Sequence, residues 1–197
     1  MKLEEYVKNL YGTQDFFPCL FTEQEITELG KTDELLVYLP ANISMAELCD
    51  RFKIKTNINF ENETLIRNVM TNENQWFIAD GSEFPELINK SGRYAKRIYE
   101  NQGLFGMDFR RYLAFVGTFQ NKFGKFPDQQ YWTYLLSGSY DRSGTSIIGF
   151  DKNKILSHHG WIDDFKKQFV GSRYVVIPPR IEINSETEKL KRAYRTK

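Results

Sequence analysis

A 197-residue chain with 41% hydrophobic residues, sixteen Phe and eleven Tyr holds enough apolar material for an aromatic-rich core, which excludes a disordered chain. Its formal charge of +1 supplies no global attraction to nucleic acid or anionic lipid. No run approaches roughly eighteen apolar residues and Met1-Lys2-Leu3-Glu4-Glu5 is not an apolar leader, so a cytoplasmic protein with no membrane partner is expected.

Leu3, Tyr6, Val7 and Leu10 recur at helical spacing and predict an opening amphipathic helix. Thr22-Glu23-Gln24-Glu25 is a capping box, in which hydroxyl and carboxylate each satisfy an orphan backbone donor, and Gly30 stops the helix it starts. Cys19 and Cys49 match neither a disulfide framework nor a zinc spacing and are expected as free thiols in a reducing compartment. Glu34 to Tyr38, ahead of Pro40, predicts a buried strand, and a second capping box at Ser44 to Glu47 starts a helix through about Arg51. A short helix is expected near Glu63 to Val69 and a strand over Gln75 to Ala79, closed by the Asp80-Gly81 turn.

Arg93 to Asn101 reads as a helix. The longest helix follows, with Asp108 as N-cap, Phe109, Leu113, Val116, Gln120 and Phe123 on one face, and Gly124 and Pro127 at its end. Tyr112, Phe115 and Phe119 widen the apolar stripe, which predicts burial on more than one side. The character then turns to short β-like runs: Tyr131 to Leu136, Thr145 to Phe150, Lys154 to Ser157 and Arg173 to Ile177. A short helix is expected to interrupt them at Trp161 to Phe169, Pro178-Pro179 ends the last strand, and a third capping box at Ser185 to Glu188 opens a basic tail. The order predicts an α+β fold, in which a helical and short-strand N-terminal part packs on a β-rich, antiparallel C-terminal part. Residues 1–182 are expected as one domain, with 183–197 as a basic helix or tail.

The most polar constellation is Ser137-Gly138-Ser139-Tyr140-Asp141-Arg142-Ser143-Gly144. It reads either as a ligand-binding loop in which Arg142 grips an anion, or as a hairpin connection with solvated tips. It lacks the spacing of a nucleophile elbow. His158 and His159 are the only histidines; on a strand they face opposite ways and cannot chelate one metal together, though one of them could join Asp163 or Asp164. A turn histidine beside Gly160 is the plainer reading. The three Trp, Trp76, Trp132 and Trp161, are expected in the core. No dinucleotide or phosphate-loop motif is complete, so no cofactor and no metal is expected.

Charge is unevenly spread: residues 1–50 carry −7, residues 93–125 carry +5 and residues 183–197 carry +3. In the middle segment Arg93, Lys96, Arg97, Arg110, Arg111, Lys122 and Lys125 interleave with Tyr94, Tyr99, Phe105, Tyr112 and Phe119, as in binders of single-stranded nucleic acid. The rival reading is a solvated outer face, with the rings turned to the core.

The order of segments resembles a bacterial family known only as a domain of unknown function, common in actinobacteria. The resemblance rests on Leu35-Leu36-Val37-Tyr38-Leu39-Pro40 with Met45-Ala46-Glu47, on Trp76-Phe77-Ile78-Ala79-Asp80, on Leu136-Ser137-Gly138-Ser139, and on Trp161 with Gly171-Ser172. The Cys, Trp and His run often found before that last Gly-Ser is replaced here by Ile162–Val170. The resemblance implies architecture and no activity. A fainter likeness, in Ser139-Tyr140-Asp141 and Arg173 to Pro178, is to C-type-lectin-like β domains.

The leading expectation is a non-enzymatic binding domain that acts on another protein, from a low-GC bacterium, its phage or another mobile element. Its surface would combine Ser139, Asp141, Arg142, His158, His159 and Asp163 if both polar loops leave the same sheet edge. A nucleic-acid-binding accessory protein using residues 93–125, and a hydrolase or metal-dependent enzyme built on the polar loops, are the alternatives.

Overall fold

The computed structural model describes residues 2–13, 17–60, 66–68, 73–140 and 144–178, the side chains of 66–68 and 139–140 excepted. The opening helix, α1 (Leu3–Tyr11), ends on the left-handed Gly12, whose N–H reaches the Lys8 carbonyl at 2.8 Å. The first two of the expected capping boxes form. In α2 (Glu23–Leu29) the Glu25 carboxylate accepts from the Thr22 N–H at 2.7 Å, and in α3 (Met45–Arg51) Glu47 does the same for Ser44 at 2.7 Å. The remaining helices are α4 (Gly92–Asn101) and α5 (Phe109–Phe123), the latter capped by Asp108 and stopped by the left-handed Gly124.

The first sheet is antiparallel throughout, in the order β1 (Leu35–Leu39), β3 (Gln75–Ala79), β10 (Tyr174–Val176) and β4 (Phe105–Gly106), with Val37 opposite Phe77. The second runs β8 (Leu156–Trp161), β7 (Thr145–Phe150), β5 (Trp132–Leu135) and β9 (Val170–Ser172), with only β5 and β9 parallel. A separate antiparallel pair joins β2 (Ile66–Asn68) to β6 (Gly138–Tyr140). The fold is α+β, as expected, and its two parts interlock: β10, from the C-terminal part, closes the sheet begun by β1 and β3.

α5 is the spine of the larger core. Every residue from Phe109 to Phe119 except Arg110 is buried, against Val37, Tyr38, Trp76 and Phe77 of the first sheet among others. Gly117 is required by packing, because a Cβ there would lie 2.3 Å from the Phe52 ring. A smaller cluster of Ala95, Tyr99, Tyr134, Leu136, Ile147 and Val170 fills the space between α4 and the second sheet.

Several expectations are corrected. The segment expected as a helix near 63–69 contributes the strand β2, its other residues lying outside the described ones. Phe123 is exposed, since the α5 stripe leaves the core over the last turn. Trp76 is buried as expected, but Trp132 and Trp161 are only half-buried against the smaller cluster. The run from Arg173 to Ile177 supplies the strand β10, as expected, with Arg173 itself buried just ahead of it. The third capping box and the tail lie outside the described residues.

No helix forms over Trp161–Phe169, because tertiary partners claim the carbonyls that a helix would use. The Asp163 carbonyl accepts from the Arg93 N–H at 3.1 Å and the Phe165 carbonyl from the Tyr134 hydroxyl at 2.8 Å, while the Phe169 carbonyl, which such a helix would leave free at its end, takes the Trp132 N–H at 2.7 Å.

Candidate functional site

The histidines sit within β8, not in a turn. Strand alternation sends them to opposite faces, as expected. His158 meets the edge of Phe109 with ring centroids 5.1 Å apart, and His159 lies over Trp132 at 5.2 Å. Burial, with a smaller contribution from the neighbouring His159, pushes the His158 pKa down to about 4, so its imidazole is neutral at physiological pH. Asp163 lies just past β8 and accepts a hydrogen bond from the Thr145 hydroxyl. Ser139 falls on β6, with its side chain outside the description, and Asp141 and Arg142 lie outside the described residues. Leu136 and Ser137 turn into β6, which pairs with β2, while the flanking strands β5 and β7 pair antiparallel, as the hairpin reading expects. Of the expected polar patch, His159 and Asp163 stand on the outer side of one sheet end, and His158 turns away from it.

The basic set divides into three. Arg93, Lys96 and Arg97 are exposed on α4. Arg111 is buried, contrary to the expectation that the basic residues lie outside. Its Nη1 meets the Asp108 carboxylate at 2.6 Å and its Nη2 bonds Gln75. Burial works against charge on both Arg111 and Asp108, and their mutual attraction opposes it. Arg110 is half-buried and donates from Nη2 to the carbonyls of Pro40, Ala41 and Ile43 at 2.8–2.9 Å. Lys122 lies in the last turn of α5, about 18 Å along the helix from Arg110, and Lys125 just beyond it, where it pairs with Glu83 at 2.6 Å. They do not form one stripe.

A second buried ion network was invisible in the sequence. Arg173 bonds Asp128 through Nη2 at 2.7 Å and Nε at 3.1 Å, and Asp80 through Nη1 at 2.9 Å. Asp128 also accepts from the Tyr112 and Thr133 hydroxyls, and the guanidinium lies 4.8 Å from the Phe115 ring centre. Burial alone would lower the Arg173 pKa; Asp128 and then Asp80 carry it upward instead. Each member is spent on another, so the network ties β3, α5 and β10 together and offers nothing to a ligand.

Clefts open on the surface of the described residues. One, of about 380 Å³, lies between α1, α2, β1 and α5, with apolar walls such as Leu10, Ile26 and Leu36 and a rim holding Glu34 and Lys122. Another, more open, of about 500 Å³, is lined by residues including Cys49, Lys53 and Phe60. Burial pushes the Cys49 thiol up to about 12, which leaves it protonated and a poor nucleophile. Among the described residues, no three His, Cys, Asp or Glu side chains are grouped to hold a metal ion. Among the same residues, no helix is long and apolar enough to cross a membrane.

The surface that stands out is apolar and lies on the loop from β8 to β9. Ile162 is 56% exposed, Phe165 56% and Phe169 46%, with Tyr94 of α4, 37% exposed, on the neighbouring helix. The loop is held to α4 by the Arg93 N–H to Asp163 bond and by an Arg93–Asp164 ion pair at 3.1 Å. Lys167 lies 5.4 Å from the Trp161 ring centre, and Lys90 and Arg97 lie 5.6 and 5.8 Å from that of Tyr94. Sequence reasoning missed Ile162, Phe165 and Phe169 as surface residues because their spacing matches the buried face of a helix. Comparison of the chain with known protein families, with curated proteins and with solved structures finds no match.

Proposed function

We propose that the chain is a non-enzymatic binding domain that engages another protein through the β8–β9 loop and the first half of α4. The observation that carries this reading is the concentration of large exposed apolar side chains, Ile162, Phe165, Phe169 and Tyr94, on two segments bonded to each other. Exposed apolar side chains gathered among polar ones are the usual mark of a protein contact. Asp163 and His159 border it, which joins it to the surface expected from the sequence. Its composition suits the cytoplasm of a low-GC bacterium, a phage or a mobile element, and the resemblance to the actinobacterial-type family would supply architecture only.

The test is affinity purification from cells that make the chain naturally, with and without nuclease, using the wild type, an Ile162→Asp/Phe165→Asp double variant and a Phe17→Ser control. Proteins retained after nuclease, lost with the double variant and kept by the control support the reading. Equal retention by wild type and double variant rejects it.

One observation favours a second reading, a nucleic-acid-binding accessory protein: Tyr94 stands exposed among Lys90, Arg93, Lys96 and Arg97. Steeply salt-dependent binding of a twenty-nucleotide oligothymidine, lost in Arg93→Glu/Arg97→Glu, would favour it.

A further inference from the structure

The apolar patch also has a sign. The cations on and beside it are Lys90 just before α4, Arg93, Lys96 and Arg97 on α4, and Lys166 and Lys167 from the loop, all exposed. The carboxylates on the same two segments are Asp163, Asp164 and Glu100. Asp163 is occupied by the Thr145 hydroxyl and Asp164 by Arg93. Among the described residues, Lys90, Lys96, Arg97, Lys166 and Lys167 form no ion pair, although Lys90 and Arg97 lie over Tyr94 and Lys167 over Trp161. Six cations against three carboxylates leave the apolar anchors within a net positive field.

Resting on the protein-binding reading above, we propose that the partner presents an acidic segment in which carboxylates alternate with large apolar side chains. Charge complementarity steers such a segment and fixes its register, while Ile162, Phe165 and Phe169 give it apolar surface to cover. A nucleic acid fits less well. Ile162 has no ring to stack on a base, and two cations already lie over Tyr94.

The probe is a pool of random sixteen-residue peptides built from Asp, Glu, Leu and Phe, with a second pool in which Lys and Arg replace the acids. The immobilised full chain should retain the acidic pool and not the basic one. Retention should fall about tenfold in Arg97→Glu/Lys166→Glu/Lys167→Glu and about as much in Ile162→Ser/Phe165→Ser, and should weaken from about 50 to about 500 mM salt. Circular dichroism of each variant establishes that it is folded. Equal retention of both pools, retention indifferent to the apolar variant, or binding of oligothymidine or phosphatidylglycerol vesicles without the acidic pool overturns the proposal. If neither pool binds but Ile162→Asp/Phe165→Asp still strips proteins from the affinity purification, the acidic partner is wrong and the protein-binding reading stands. If that double variant changes nothing there, the protein-binding reading is itself wrong.

Discussion

Phe109–Phe123 and Trp161–Phe169 both carry apolar residues at helical spacing, yet they end in opposite environments. The first is a helix whose residues from 109 to 119 are buried save one; the second is a loop of two turns that leaves Ile162, Phe165 and Phe169 in water. Two differences separate them. Asp108 caps the first, accepting the Arg111 N–H at 2.8 Å, whereas nothing caps the second. Sheet strands and α3 pack around the first, whereas the backbone of the second is already committed to Arg93, Tyr134 and Trp132. Periodicity marks a face that can be covered; what covers it is decided elsewhere in the chain.

The largest effect should come from breaking the support behind α5. Arg173→Met leaves Asp80 and Asp128 facing each other without a cation beneath Phe115, at a cost of about 3–5 kcal/mol in urea unfolding. Adding Asp80→Asn and Asp128→Asn to Arg173→Met should recover part of that loss. A loss below about 1 kcal/mol for Arg173→Met alone would mean that the network does not hold the helix in place.

Gly117→Ala tests how closely α5 is packed. A methyl group would press on the Phe52 ring, which is 8% exposed and has little room to swing, so a destabilisation of about 1–3 kcal/mol is expected. The equivalent crowding cannot arise on the 162–169 loop.

His158, against the first residue of α5, makes the buried side pH-dependent. An unfolded histidine titrates near 6.5 and the folded His158 at about 4, so between these values the unfolded chain binds more protons. The stability linked to this residue is complete above about pH 6.5 and is lost as pH falls toward 4, by on the order of 3 kcal/mol. Urea midpoints of wild type and His158→Gln, compared between pH 7 and 5, should converge as pH falls. A constant difference would place the histidine in an environment more open than its contact with Phe109 implies.

Capping boxes and regular periodicity made most of this architecture readable in advance. Thr22, Ser44 and Asp108 start helices where expected, and Gln75 to Ala79 and Thr145 to Phe150 are the strands that their residues predict. Strands of two or three residues, β2, β4 and β6, are too short for alternation to show. Arg111 and Arg173 were hidden for a different reason: a charge is read as outward until its carboxylate partner, in Arg173's case far off in sequence, is brought to it. Part of the candidate surface, Asp163 and His159, was legible as polar residues near Gly160. Its apolar half was not, because residues that look destined for the core are the last to be sought at the surface.

The smallest effect on folding is the most informative about the surface. Phe165→Ser removes a ring that is 56% exposed and makes no ring stacking among the described residues, so stability should change by no more than about 0.5 kcal/mol. The backbone bond from the Tyr134 hydroxyl to the Phe165 carbonyl survives the substitution, and with it the position of the loop against α4. Phe115→Ser, by contrast, should unfold the chain far more readily, since the same ring is there fully enclosed. A destabilisation by Phe165→Ser of more than about 1 kcal/mol, measured in urea, would show that this ring packs in solution as a core residue does. The loop would then be a structural strut, and the apolar surface from which a partner was inferred would not exist.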